Sequence, residues 1–410
     1  MTVPMSVNMA RNWRDPAGSS LAGEHALPGL CRRILLFVSA DGEGLSRFRS
    51  LLDVLGTCAP EVILVTRASG RLAEVEALGL PIIDFDDHRL SGNPADKAAC
   101  VWRLARIIEA EQPDVVHLIG ARSIVMGGLA LRLQPAPRVM LHVTGPGLLG
   151  IATGRLSRIA HGAAVRHVAS MLRDPAYYLL VENPSDLALL RAEGADPGAR
   201  FAILGGPGID PQQFEALSPP ANAAPVAAFV GRMTTGNGVD VLFQACDRVA
   251  ARGMPLTLHL YGESDASDAD AIDAQDLDAW IARSGGERHS AVADAGEVWR
   301  RADVCVLPAR HGGGMPRALL EAAACARPLL VTDVPGARDF VRHGVEGLVV
   351  PAGDPAALAE ALRHLAREPD LRERMGEAAR LRLLHGYTQT HLREAVRAAY
   401  QSLLGNKGAR

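Results

Sequence analysis

Short, almost uninterrupted apolar runs, each followed by a helical pattern, constrain this chain more than any other feature. The first set is RILLFVSA (33–40), EVILVTRAS (61–69), PIIDF (81–85), DVVHLIG (114–120), RVMLHVTG (138–145), YYLLVEN (177–183) and RFAILGG (200–206). A strand with one wet face alternates polar and apolar residues. A strand covered on both faces has no need to, so these runs predict a parallel sheet between layers of helix. Intervening segments such as ADKAACVWRLARIIEAE (95–111) supply the crossover helices of βαβ units. The pattern then restarts with VAAFVGR (226–232), LTLHLYG (256–262), DVCVLPA (303–309), RPLLVTD (327–333) and GLVVPAG (347–353). Between the two sets lies SPPANAAP (218–225), whose composition is that of a linker. The expected fold class is therefore α/β, with two doubly wound Rossmann-like domains facing a cleft. The expected layout is a disordered tail (1–30), a first domain (31–206), a linker (207–225), a second domain (226–385) and a C-terminal helix (386–410) returning to the first domain. LREAVRAAYQSLL (392–404) is the amphipathic part of that last segment.

Composition narrows the function classes. A chain of 410 residues with 48% hydrophobic and 22% charged residues has ample material for two cores. The formal net charge of −3 and an aromatic content of 4% argue against nucleic-acid binding by charge or base stacking. The cysteines at 31, 58, 100, 246, 305 and 325 include no close pair, which speaks against a zinc ribbon or redox pair and fits a reduced cytosol. The first thirty residues contain no sustained apolar run, and no stretch reaches the roughly 18 apolar residues of a membrane span.

In open α/β sheets ligands bind beyond the strand carboxyl ends. Two such segments are rich in glycine. After DVCVLPA come Arg310, His311, Gly312, Gly313, Gly314, Met315 and Pro316, then a helix containing one carboxylate, Glu321. Glycines permit a sharp turn and close approach, and proline suits the first turn of a helix. The helix amino end favours an anion such as phosphate. The second segment follows VAAFV, where Gly231, Arg232, Gly236, Asn237 and Gly238 precede a helix starting near Val239. A guanidinium at Arg232 suits a diphosphate. The plainer alternatives are a simple glycine-rich helix cap and an Arg232 paired with a surface carboxylate. Two such elements at one cleft favour the phosphate reading.

Other motifs carry less. Asp268 and Asp270 form a D-x-D inside an acidic stretch, read as a solvated helix start, so no metal site is expected. His117 and His142, on apolar strands, read as core histidines. Asp210, in GGPGID, reads as a cap or orienting residue of the interdomain loop. From Met140 to Arg173 there is no acidic residue, while Arg155, Arg158, Arg166 and Arg173 recur among apolar positions. That pattern fits either a solvated helix pair or a face resting on an anionic bilayer.

GRMTTGNGVDVL, ADVCVLPA, GGGMPRALLEAAACARPLLVTDVPGARD and GVEGLVVPAGDPAALAEAL together resemble family 4 glycosyltransferases of the GT-B fold. NPADKAACVWRLARIIEAEQPDVVHLIGARS, LHVTGPGLLG, ENPSDLALL and ILGGPGIDPQQF resemble the subgroup acting on lipid-diphosphate-linked glycans of bacterial surface polysaccharides. The resemblance spans roughly 32–402. It implies a retaining transfer of a sugar from a nucleotide diphosphate donor, UDP-linked by family habit, to a lipid-linked glycan. The first domain then lies on the acceptor side and the second binds the nucleotide sugar. No cofactor or metal is implied, and the location is cytoplasmic, on the inner face of the membrane. Carried over by position, Gly231 and Arg232 meet the diphosphate, the Gly314–Met315–Pro316 backbone offers N–H groups to the donor, Glu321 takes the ribose, and Thr144 faces the donor sugar. Arg232 and Thr144 are the catalytic candidates. Three positions depart: Gly313 stands where the family has a glutamate, Asn237 where it has a lysine, and Ile119 where it often has a histidine. Arg310 and His311 are candidates to replace the missing charge. The alternative reading is therefore a degenerate, non-catalytic nucleotide-sugar-binding subunit; a nucleotide-sugar epimerase is a third.

Overall fold

The computed structural model describes residues 30–39, 48–67, 79–85, 94–144, 155–265, 270–284, 286–289 and 295–405. The expected tail before residue 30, most of the segment after the first strand, residues 145–150 and Asp268 lie outside the described residues, as do the side chains of Arg155 and Arg158.

Seven strands form the first sheet: β1 (Arg33–Val38), β2 (Glu61–Thr66), β3 (Ile82–Asp84), β4 (Val115–Ile119), β5 (Arg138–Val143), β6 (Tyr177–Val181) and β7 (Phe201–Ile203). Their spatial order is β3-β2-β1-β4-β5-β6-β7, with every pairing parallel. The sheet is buried on both faces, which explains the lack of polar alternation. On β1, Leu35 and Phe37 join one core while Ile34, Leu36 and Val38 join another. The first core is closed by α2 (Pro94–Glu111), α3 (Ala121–Leu133) and α4 (Arg155–Leu172), and the second by α1 (Arg49–Cys58) and the last helix, α13 (Gln389–Gly405).

The second sheet comprises β8 (Val226–Val230), β9 (Thr257–Tyr261), β10 (Glu287–His289), β11 (Val304–Leu307), β12 (Leu329–Thr332) and β13 (Gly347–Val350), ordered β10-β9-β8-β11-β12-β13. These pairings are parallel too. The strand β10 carries no apolar signal, because its three residues are Glu, Arg and His at the sheet edge; it is defined by pairing with β9, and Tyr261 stacks on His289 at 4.9 Å. One continuous core holds this sheet against α6 (Val239–Ala250), α8 (Ala295–Arg301), α9 (Arg317–Ala324), α11 (Pro355–Arg367) and α12 (Pro369–Leu384). Two further helices, α7 (Ala274–Ser284) and α10 (Ala337–Phe340), belong to the lobe, and α5 (Pro184–Ala192) follows β6 in the first.

Two crossings join the lobes, and they pair with each other: Ile209 N–H donates to Tyr387 O at 3.1 Å and Gln389 N–H to Ile209 O at 3.0 Å. After the return crossing, α13 buries Leu392, Val396, Ala399, Tyr400 and Leu403 against the first lobe. Each fully buried large apolar side chain contributes roughly 1.5–3 kcal/mol, so this helix is a structural part of the first lobe. Tyr400 OH and His117 Nδ1 lie 2.9 Å apart in full burial, and desolvation holds His117 well below the ordinary imidazole range, as a neutral core residue. His142 sits beside it, ring centroids 5.6 Å apart.

Candidate functional site

Strand order reverses between β1 and β4 in the first sheet and between β8 and β11 in the second. Such switch points open a crevice at the strand carboxyl ends. In the second sheet the segments leaving β8 and β11 are the two glycine-rich ones.

The β8 segment is a built turn. Gly231 N–H donates to Tyr261 O (3.0 Å) and Met233 N–H to Glu263 O (2.9 Å), fixing the strand exit against β9. Arg232 between them is exposed. Asn237 holds the turn from inside: its Nδ2 donates to Arg232 O at 2.8 Å and its N–H to Thr234 Oγ1 at 3.1 Å. Asp270 braces it from outside, accepting from Gly236 N–H at 3.0 Å, while its carbonyl accepts from Thr235 N–H at 2.9 Å. The acidic stretch read as a solvated helix start thus supplies, through Asp270, a brace for this turn. Gly238 ends it at φ 73°, where a Cβ would lie 1.9 Å from Pro308 O. Only glycine fits, and the β11 exit therefore touches α6 backbone to backbone.

The β11 segment is bonded to the β8 segment directly. Arg310 N–H donates to Gly236 O at 2.9 Å. Its guanidinium grips both carboxylate oxygens of Asp240 at 2.5 and 2.6 Å and also reaches Thr235 O. The Asp240 hydrogen bonds raise the already high Arg310 pKa. Arg310, expected as a substitute donor cation, is a clamp between the two glycine turns. His311 beside it is exposed, and Gly312 packs where a Cβ would lie 2.2 Å from Pro335 O.

At the amino end of α9 the structure departs from expectation. The N–H groups of Gly314 and Met315, expected to face a donor, instead meet carboxylates of the first lobe. Gly314 N–H donates to Asp186 Oδ2 (2.8 Å) and Met315 N–H to Glu182 Oε2 (2.6 Å). Asn183 Nδ2 donates to Gly314 O at 2.8 Å. All three first-lobe residues are buried at the exit of β6, where Asn183 Oδ1 caps α5 by accepting from Asp186 N–H at 2.8 Å. Burial pushes the Asp186 carboxyl up to about 6; the Gly314 N–H opposes this, and the neighbouring Glu182 and Asp339 carboxylates add to it. These contacts were invisible to motif reading, although the Asn-Pro-Ser-Asp order of 183–186 does carry a helix-cap signal. The next residues, Arg317, Ala318 and Leu319, form the first turn of the helix.

Glu321 lies one turn into α9, 5% exposed, with Arg317 Nε donating to its Oε1 at 2.7 Å. Desolvation pushes its carboxyl up and Arg317 pulls it down. Gly313 stands at φ 153° just before the buried turn and Pro316 caps α9 in extended conformation. In the first lobe Thr144 follows β5 and lies beside Gly120, the residue leaving β4: a Cβ on Gly120 would stand 3.6 Å from Thr144 Oγ1. Ile119 is buried at the end of β4 and offers no polar group there. Among the described residues no three His, Cys, Asp or Glu side chains are grouped to hold a metal ion, and no helix is long and apolar enough to cross a membrane.

Two Rossmann-like lobes with parallel sheets, joined by paired crossings, define the GT-B architecture. Residues 224–368, in the second lobe, match the family model of group 1 glycosyl transferases. Solved structures agree in fold. The Anabaena protein HepE, crystallised with UDP-glucose, superposes with a TM-score of 0.73 at 15% identity over 90% of this chain and 99% of its own. Sucrose-phosphate synthase of Thermosynechococcus elongatus gives 0.74 at 17% identity over 91% of this chain and 99% of that one. Among curated proteins, the capsular polysaccharide glycosyltransferase CapM of Staphylococcus aureus is 27% identical over 179 residues, covering 44% of this chain and 46% of CapM. The amylovoran glycosyltransferase AmsK of Erwinia amylovora is 28% identical over 240 residues, 53% of this chain and 57% of AmsK. The chain spans about half the length of CapM and AmsK.

Proposed function

We propose that this protein is a retaining glycosyltransferase that moves a sugar from a UDP-linked donor to a lipid-linked glycan in surface polysaccharide synthesis. The observation that supports the reading is the direct bonding of the β8 and β11 turns through Arg310, which ties the segment carrying Arg232 to the segment that leads into α9. A guanidinium and a helix amino end at one edge suit a diphosphate, and stabilising charge on a departing phosphate is the main task of such a site. The HepE complexes with UDP and UDP-glucose support a uridine nucleotide, and the names of CapM and AmsK support a polysaccharide product. In this reading Arg232 stabilises the leaving diphosphate, Glu321 takes the ribose after Arg317 yields, and Thr144 faces the sugar from the first lobe. Purified protein given UDP-hexoses and a polyprenyl-diphosphate glycan should release UDP and extend the glycan with retained anomeric configuration, read by product NMR. An inverted product removes the mechanism; no product with any hexose removes the activity.

A second reading keeps the donor site without the chemistry: a nucleotide-sugar-binding subunit of a glycan assembly complex. Gly313 and the inward-turned Asn237 favour it, since the glutamate and lysine of the resembled family are missing there. Binding of UDP-sugar without turnover distinguishes it. Gly313→Glu with Asn237→Lys should then raise turnover; unchanged or lower turnover shows that these positions are not lapsed donor contacts.

The proposed location is the inner membrane face. Trp102 on α2 and Leu129 and Leu133 on α3 are exposed, and the same helical layer carries exposed Arg103, Arg106, Arg132 and Arg166. Aromatic and aliphatic side chains among arginines suit an anionic bilayer.

A further inference from the structure

We propose that residues 182–186 form a proton-controlled latch between the lobes: the contact holds best while Asp186 carries a proton and opens more often once that proton is lost. The latch needs no ligand and stands apart from the donor reading.

Hydrogen bonds from this one segment reach two parts of the second lobe. At the exit of β11, Gly314 N–H donates to Asp186 Oδ2 at 2.8 Å, Met315 N–H to Glu182 Oε2 at 2.6 Å and Asn183 Nδ2 to Gly314 O at 2.8 Å. At α10, Ser185 Oγ donates to Asp339 Oδ1 at 2.9 Å and accepts from Arg338 Nε at 3.4 Å. Charge makes the contact conditional. Asp186 is 0% exposed and Glu182 2%. Asp186 Oδ2 takes the Gly314 N–H and Asn183 Nδ2, but its other oxygen, Oδ1, is buried and meets no hydrogen-bond partner among the described residues. The carboxylates acting on it are Glu182 at the β6 exit and Asp339 of α10. The 313–316 turn brings no ionisable side chain, and on α9 Arg317 and Glu321 pair with each other. The nearby cations are engaged beside Asp186: exposed Arg338 reaches Ser185 and Asp333, and Arg382 of α12 donates to the Asp339 carbonyl and lies 3.7 Å from Glu346. An ionised carboxylate with a bare buried oxygen and two like charges beside it is costly, and a proton removes the cost. Burial accordingly pushes the Asp186 carboxyl from 3.8 up to about 6; the Gly314 N–H opposes the rise, and Glu182 and Asp339 add to it. Parting the lobes here wets Asp186 and returns it toward its ordinary range, so loss of the proton favours opening. Water has a way in: a cavity of about 530 Å³ lies beside Glu182 and Met315, its other ionisable lining groups being Arg382, His385 and His391.

Amide hydrogen exchange of the full chain, resolved to single residues and expressed as protection relative to the intrinsic rate at each pH, tests this directly. The Gly314 and Met315 amides should be less protected than core amides of β11 and β12, since the latch opens without global unfolding. Their protection should fall about tenfold from pH 5 to pH 7.5 and change little above, the course set by a carboxyl near 6 when latched and near 3.8 when released. Asp186→Asn keeps an acceptor oxygen and cannot ionise, so the fall should vanish. Ser185→Ala removes a latch bond that does not titrate; protection should drop by one factor at every pH and keep the wild-type fall. Wild-type protection that is constant with pH, or equal to that of the core, overturns the proposal, as does an undiminished fall in Asp186→Asn. If Asp186→Asn does not fold, the wild-type pH series and its comparison with the core still decide.

Discussion

Asp186 is a carboxylate with no ordinary solvent around it, and its titration should be visible in stability. Burial raises its pKa from 3.8 to about 6, so the folded chain keeps a proton that the unfolded chain has lost. Stability from this group is therefore greatest at low pH, declines as pH rises from about 4 to 6, and is flat above, a difference of about 3 kcal/mol. Asp186→Asn should remove that slope: melting temperatures of wild type and variant, compared from pH 4.5 to 7.5, should diverge as pH rises. A constant difference across the range contradicts it. The role of Asp186 was not legible in the sequence, because its partner Gly314 is 128 residues away. Arg310 was legible only in part. Its charge and its place before the glycines were legible, but the Asp240 carboxylate that captures it sits on another helix, among many acidic residues of equal standing. Arg232, Asn237 and Glu321 could be located in their turns and helix from sequence; which of them faces inward required the hydrogen bonds.

At the scale of elements, buried parallel strands announce themselves as continuous apolar runs, and the runs from RILLFV to GLVV correspond to twelve strands of the two sheets. The edge strand β10 had no such signal, since Glu287, Arg288 and His289 are ordered by their pairing with β9 and by Tyr261. The glycine turns were legible as turns but not as close contacts between turns. Gly238 makes that point testable. Its left-handed φ of 73°, and the mere 1.9 Å that would separate an added methyl from Pro308 O, leave no space for alanine. Gly238→Ala should cost about 2–4 kcal/mol in chemical denaturation and weaken nucleotide binding, because the β8 and β11 turns must part. A loss below about 1 kcal/mol would show that the turns are not locked together.

At the scale of the whole molecule, two sheets with paired crossings and a last helix returned to the first lobe make the lobes interdependent. The exposed Trp102, Leu129 and Leu133 among arginines give the first lobe a face of its own. Sedimentation with vesicles containing anionic lipid should carry the protein down, less so in high salt and several-fold less after Trp102→Ala with Leu133→Ala; equal sedimentation of the double variant, or none by wild type, removes the membrane assignment. The proposed function depends on a diphosphate being held at the second switch point by Arg232 and the amino end of α9. Calorimetric titration with UDP of wild type and Arg232→Ala tests that most directly. A hydrogen-bonded charge contact is worth roughly 1.5–3 kcal/mol, so the variant should bind about 10- to 100-fold more weakly, with an unchanged melting temperature. Equal affinity in the two proteins, or no binding by the wild type, contradicts the account.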